Sequence, residues 1–382
     1  MSPASVRRVC AALVGVLLAT GLVACSGEDS PAPSLSTSPA SPTSQSASTS
    51  PNVSTSPASS ASPSASASPR TSVTAGASAS PGSAAARARA ALPKPVTVTD
   101  VNGVVRLPAP ARRVVALDWT YAEDLLAVGV RPVGVADKAG YAAWVGGGPR
   151  LDHTTAEVGP RQQPDPTAVR ALRPDLILVG ADETNAVVAQ MRKIAPVLVF
   201  DPYRPDMSAW TEMRTTFAAV ARAVGRTDQA AWVLRGLDDA IARDRSKLAA
   251  AGAANLPVAL AQGYSVEGVP TIRMFGRTSL AGDLLGRLGL QNDWRGEPDR
   301  YGLSTVGPAD LGQVSTADFL YLADPRSDIF TGAMTGRQDW RGLAFVAERR
   351  VHRLGARTWF FGGPLSTRAC ADALVRALGR SS

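Results

Sequence analysis

Trp119 follows the apolar run VVALD, Arg161 follows VGP, Tyr203 follows VLVFDP and Tyr264 follows VALAQG, while Asp182 and Glu183 follow LILVGA. Aromatic faces and charged groups at the handover from strand to loop suit recognition of a ligand in a cleft, because loops at strand ends converge there. A catalyst is harder to assemble. The chain has 2 histidines, His153 and His352, and neither stands in an HExxH pattern or beside a nucleophile elbow. No clustered His and Cys offer a zinc site. The triple glycine at 146–148 precedes Pro149 instead of opening a helix, and no glycine-lysine pair of the phosphate-loop type occurs. The chemistry within reach is binding, with no cofactor and no protein-bound metal.

These residues need elements to hold them. The run VTVTDVNGVVRLP alternates on both sides of Asn102-Gly103 and reads as a hairpin, since both residues tolerate the positive φ of a tight primed turn. RVVAL and PVGVA read as buried strands on either side of a helix from Tyr121 to Val128. DLILVG and PVLVF repeat the arrangement around a helix near Thr184 to Ile194, and this βαβ lobe ends near Asp201. From Met207 to Ala251 the pattern is helical without an intervening strand. It is interrupted at Gly225-Arg226-Thr227-Asp228, where Thr227 or Asp228 can cap a second helix. PVALAQGY, a helix from about Ser279 to Leu288, FLYLAD and RVHRLG restart the α/β rhythm, closed by a helix from about Ser366 to Leu378. The fold class is therefore α/β: a lobe at 93–225, a long connecting helix at 226–254 and a second lobe at 255–382.

Ahead of the lobes, Arg7 and Arg8 precede an apolar stretch from Val9 to Val23, too short to span a bilayer and shaped like a secretory signal. Its end, Leu22-Val23-Ala24-Cys25, resembles the lipobox of bacterial lipoproteins. That resemblance implies removal of 1–24 and a lipid on Cys25, with the protein anchored on the extracytoplasmic face of the cell membrane. Arg7-Arg8 leave the export route open. The remainder of 25–92 is almost entirely Ser, Pro, Ala and Thr and cannot bury enough apolar surface to offset the entropy of ordering. It reads as a tether with a root-mean-square span of about 45 Å.

Of 3 cysteines only Cys370 falls in the folded part, so the fold rests on its hydrophobic core and not on an internal disulfide. Five arginines and two acidic residues precede Pro93, so the +8 of the whole chain falls to +5 over the lobes. No dense basic run with interleaved aromatics occurs, which argues against nucleic-acid binding.

The segments RRVVALDWTYAEDLLAVGVRPVGVAD, VGPRQQPDPTAVRALRPDLILVG, RKIAPVLVFD and TWFFGGPLS closely resemble ferric-siderophore substrate-binding lipoproteins of ABC importers, and the likeness runs from about Val96 to Leu378. It implies two α/β lobes on one rigid helix that close only slightly over the ligand, and a monomer that delivers its ferric siderophore to permease subunits. The best match is to binders of ferric hydroxamates. By that likeness Arg161 contacts the iron-bound oxygens and Trp359 lines the pocket. A siderophore already fills iron's coordination sphere, so the protein needs a cation aimed at partly negative oxygens and flat apolar faces, not metal ligands. NDWRGEPDRYG resembles a pocket-edge segment, which adds Trp294 and Tyr301; Trp119, Tyr264, Arg273 and Arg277 complete the candidate set.

Two departures from the family pattern matter. Ferric-citrate binders place an arginine near the position of Glu183, whereas this chain has Asp182-Glu183, which favours a neutral or cationic ligand. The glutamates with which such proteins dock on the permease align with Thr167 and Ala309, leaving Asp165 and Asp310 as displaced candidates. The alternatives to a hydroxamate binder are a cobalamin or haem binder of the same architecture, or a wall-associated interaction protein without a transport role.

Overall fold

Two alternating runs open the fold. Strands β1 (Val96–Asp100) and β2 (Gly103–Leu107) pair antiparallel, with Asp100 opposite Gly103. The turn therefore centres on Val101-Asn102, one residue earlier than the sequence suggests. Gly103, at φ +114°, takes the position only glycine adopts easily. Asp100 ties the hairpin to the first lobe by accepting from Val199 N at 2.9 Å. The computed structural model describes residues 94–181, 185–355 and 357–379, all within one compact unit. The signal at 1–24, Cys25, the tether and Asp182-Glu183 lie outside the described residues. Among the described residues no helix is long and apolar enough to cross a membrane.

The first lobe follows in strict alternation: β3 (Val114–Ala116), α1 (Trp119–Ala127), β4 (Gly134–Val135), α2 (Lys138–Trp144), β5 (Ala156–Glu157), α3 (Pro166–Ala171), β6 (Leu176–Gly180), α4 (Asn185–Arg192) and β7 (Val197–Phe200). The strands lie parallel in the order β5-β4-β3-β6-β7. Helices cover both faces, which is why these strands read as unbroken apolar runs. Val114, Leu176 and Leu198 face one core cluster, while Val115, Ile177 and Val199 face another. Because every strand runs the same way, their carboxyl ends share one edge, and the loops bearing Asp118, Arg161 and Tyr203 leave from it.

Helices α5 (Ala209–Ala223) and α6 (Thr227–Ala250) bridge to the second lobe. The break between them falls at Gly225, whose φ is +68°. The cap differs from expectation: Arg226 occupies the N-cap position and makes no side-chain bond, while Thr227 is already inside the helix. At 24 residues, α6 spans about 36 Å. It buries Ala230, Val233, Leu237, Ala240, Ile241, Asp244 and Leu248, a stripe at the helical period, so the core grips one face along its length.

The second lobe contains β8 (Pro257–Val266), β9 (Val269–Phe275), α7 (Leu280–Arg287), β10 (Gln291–Asn292), β11 (Leu303–Val306), a 3-10 turn (Pro308–Val314) and β12 (Asp318–Ala323). It closes with α8 (Gln338–Arg341), α9 (Ala344–Ala347), β13 (Val351–Arg353) and α10 (Pro364–Leu378). Its sheet is mixed. β8, β10, β12 and β13 are parallel, whereas β9 runs against its neighbours β8 and β11, a feature the simple α/β rhythm does not contain.

The lobes are fastened together behind the cleft. Buried Glu123 on α1 accepts from Ser366 N at 2.7 Å and from the Ser366 hydroxyl, at the start of α10. Arg357 donates to Val145 O at 3.0 Å. A Cβ on Gly147 would lie 2.4 Å from Leu365 O, so the triple glycine lets one lobe's loop press against the backbone of the other.

Candidate functional site

The loops at the carboxyl edge of the first sheet face the second-lobe segments 275–283, 299–302 and 360–363 across a cavity of about 740 Å³. That is within the range of small-molecule sites. Its aromatic walls come from both lobes: Tyr203 meets Tyr301 edge-on with centroids 4.6 Å apart, and Phe360 and Phe361 stand opposite α1. Arg300 reaches back to Asp201 across the cleft at 3.7 Å.

Arg161 does not itself line the cavity; it is tied to the start of α1, whose Thr120 does. Asp118 caps α1 by accepting from Thr120 N at 2.9 Å, and its other oxygen takes a hydrogen bond from Arg161 Nη1 at 3.0 Å. The guanidinium carbon lies 3.9 Å from the centroid of the Trp119 ring, a cation-π contact. Trp119 is fixed in turn by its Nε1 donating to Asp137 O at 3.0 Å. The Trp119 ring meets Trp359 edge-on at 5.0 Å, and Trp359 meets Phe361 at 5.0 Å. Thr120 Oγ1 donates to Phe361 O at 2.9 Å, which binds this aromatic file to α1. Arg161, Trp119, Trp359 and Phe361 thus pack in one file that reaches the cavity wall at Phe361, with Trp119, only 4% exposed, backing the guanidinium. The side chain of Arg161 keeps 25% exposure, so part of its donor fork faces solvent. Trp359 Nε1 is buried without a hydrogen-bond partner among the described residues.

The other sequence candidates scatter. Tyr301 and the exposed Arg277 line the cavity. Tyr264 and Arg273 pair with each other on the β8–β9 hairpin, 5.3 Å from guanidinium to ring, and neither lines the cavity. Trp294 does not belong to the site. It is 2% exposed, packs in the core beneath the second sheet and donates its Nε1 to Ser304 Oγ at 2.9 Å. Its N–H is satisfied within that core, and the residue is no part of the cavity lining. Asp165 and Asp310 are both exposed, and each accepts from a backbone N–H at its own helix start, Thr167 N at 2.8 Å and Gly307 N at 2.9 Å.

Sequence reasoning passed over the acidic side of the cavity. Asp124 and Glu212 line it from α1 and α5. Burial pushes Glu212 up to about 7 against the opposing bond from the Thr216 hydroxyl, and pushes Glu123, behind the wall, to about 7 against its bonds from Ser366. Asp124 is raised well above the ordinary carboxyl range, first by burial and then by the charges of Glu123, Glu212 and Asp118. The available signal was the pair Glu123-Asp124 inside the otherwise apolar start of a helix, WTYAEDLLA.

A comparison with protein families matches residues 114–358 to the periplasmic binding protein family. The chain belongs to this family. A curated relative, the iron(3+)-hydroxamate-binding protein FhuD of Escherichia coli (strain K12), is 27% identical over 267 residues, which cover 70% of this chain and 87% of its own. Among solved structures, the siderophore-binding protein FhuD of Vibrio cholerae bound to Fe3+-Desferal superposes with a TM-score of 0.64 at 24% identity, over 70% of this chain and 98% of that one. A periplasmic solute-binding protein of Mycobacterium smegmatis superposes at 0.59 with 22% identity, over 75% of this chain and 98% of its own. These structures share the fold: two α/β lobes on a helical backbone, each built on a largely parallel sheet.

Proposed function

We propose that the protein captures a ferric siderophore of the hydroxamate type outside the cytoplasm and hands it to an ABC permease for iron uptake, without catalysing a reaction. The observation that carries this reading is the file from Arg161 through Trp119 and Trp359 to Phe361 at the edge of the cavity. It offers a cation to partly negative oxygens beside flat apolar faces and leaves the metal to the ligand. The hydroxamate name of a relative that spans most of both chains adds to the reading. Cys25 as lipid anchor and 26–92 as tether complete it, keeping the trap beside its permease.

The experiment is a titration of tryptophan fluorescence with ferric hydroxamates, ferric dicitrate, haem and cobalamin. Saturable quenching by the hydroxamates in preference to the others supports the proposal; preferential binding of haem or cobalamin replaces it with another solute.

A further inference from the structure

The cavity has a second pole, remote in chemistry from Arg161. Asp124, on the wall of the cavity, is 1% exposed, and its Oδ1 is buried with no hydrogen-bond partner among the described residues. Glu212, 6% exposed on the same wall, has among the described residues only the Thr216 hydroxyl as a side-chain partner, and Glu123 stands directly behind. Among the described residues no lysine or arginine lies within ion-pair distance of these three carboxyls. The lining guanidiniums of Arg204 and Arg300 pair with Asp206 and Asp201, and Arg204 acts on Glu212 only through its field. The close approach here is specific. A Cβ on Gly363 would lie 2.2 Å from Asp124 Oδ1, so any other residue there would displace the carboxyl.

A buried carboxylate without a partner is costly, and several together are more so. Protonation relieves that cost, and so does a cation entering the cavity. A metal ion needs more ligands than converge here. An ammonium needs only a few acceptors and fits two carboxyls and a hydroxyl. We propose that Asp124 and Glu212 form a subsite for a positively charged group of the ligand, a primary ammonium at the end of a linear iron-chelating chain, while its iron-bound oxygens face Arg161. The proposal rests on the reading that a ferric hydroxamate occupies the cleft. It makes the cleft bipolar and selects cationic over neutral or anionic complexes.

The test uses the ferric complex of desferal, a linear trihydroxamate ending in a primary amine, against its N-acetylated form, titrated into the full chain at low salt. The wild-type protein should bind the amine form at least about tenfold more tightly. Asp124→Asn should shrink that ratio to within about twofold, with folding checked by circular dichroism. If Asp124→Asn does not fold, Glu212→Gln is read for the same ratio. Equal binding of both forms by the wild type, or an unchanged ratio in the variant, overturns the subsite and leaves the hydroxamate function standing. If neither form binds the wild type, the hydroxamate function fails, and the subsite with it.

Discussion

The indole of Trp119, at the start of a first-lobe helix, meets the indole of Trp359, in a second-lobe loop, edge-on with centroids 5.0 Å apart. This contact crosses between the lobes, and the Trp119 ring also carries the guanidinium of Arg161. If the file also receives the ligand, as proposed, recognition and lobe packing share it.

Arg161 supplies the cation of that file. Arg161→Ala should weaken binding of a ferric hydroxamate by roughly one to two decades, the loss expected of a charge-assisted contact of about 1.5–3 kcal/mol. The fold should survive, because the variant leaves Asp118 capping its helix through Thr120 N. A dissociation constant equal to that of the wild type would remove Arg161 from the site.

Glu123 is the fastener behind the cleft. Glu123→Ala deprives Ser366 N and its hydroxyl of their acceptor at the buried start of the last helix and should lower stability by about 3 kcal/mol. Ser366→Ala, which removes one of the two bonds, should cost less. Urea denaturation of both variants measures this, and stability unchanged in Glu123→Ala would show that the lobes are held elsewhere.

The acidic wall makes stability depend on pH. Burial raises Glu123 and Glu212 from the ordinary 4.5 to about 7, so the folded protein holds protons that the unfolded chain has lost. Their contribution is present in full below about 4.5 and is lost as pH rises through 7, by roughly 3 kcal/mol per group at most. The groups that bias them are Asp201 and Arg204 facing Glu212, and the Ser366 bonds facing Glu123. Tm should therefore fall from pH 5 to pH 8, and Glu212→Gln should flatten the fall. A Tm that rises over this range would contradict the burial argument.

Much of the fold was legible because its strands are buried on both faces. Ile177 and Leu178 point to opposite cores, so the run DLILVG carries the signal of a parallel central strand. The helix that begins at Thr227 was legible from its break at Gly225 and its apolar stripe. The candidate site was legible only in part. Trp294 and Trp359 are alike in sequence, each a few residues before a glycine with charged or aromatic neighbours, and only three-dimensional packing puts one in the core and the other on the cleft file. Asp124 and Glu212 escaped notice because a carboxylate on a helix ordinarily marks a solvated face. Here α1 and α5 turn those positions toward a cavity that the sequence does not reveal.

Permease docking offers a prediction outside the cleft. If the resemblance places docking glutamates at Thr167 and Ala309, Asp165 and Asp310 stand nearby, both exposed. The double variant Asp165→Asn, Asp310→Asn should bind its ligand normally and fail to support siderophore-dependent iron uptake in cells. Because each aspartate also accepts a backbone N–H, asparagine, which keeps an acceptor oxygen, is the fitting replacement. Normal uptake at normal affinity would exclude the two aspartates from docking.

The central claim is that the cleft holds an iron complex through a cation and aromatic faces, and the most direct measurement is the tryptophan fluorescence of the intact protein titrated with ferric and iron-free desferal. Trp359 lies half-buried on the proposed contact surface with Trp119 packed against it, so the ferric complex should quench saturably with a dissociation constant of about 1 μM or tighter, while the iron-free chain binds far more weakly. Equal affinity for the two forms, or no saturable quenching by any ferric hydroxamate, would contradict the account.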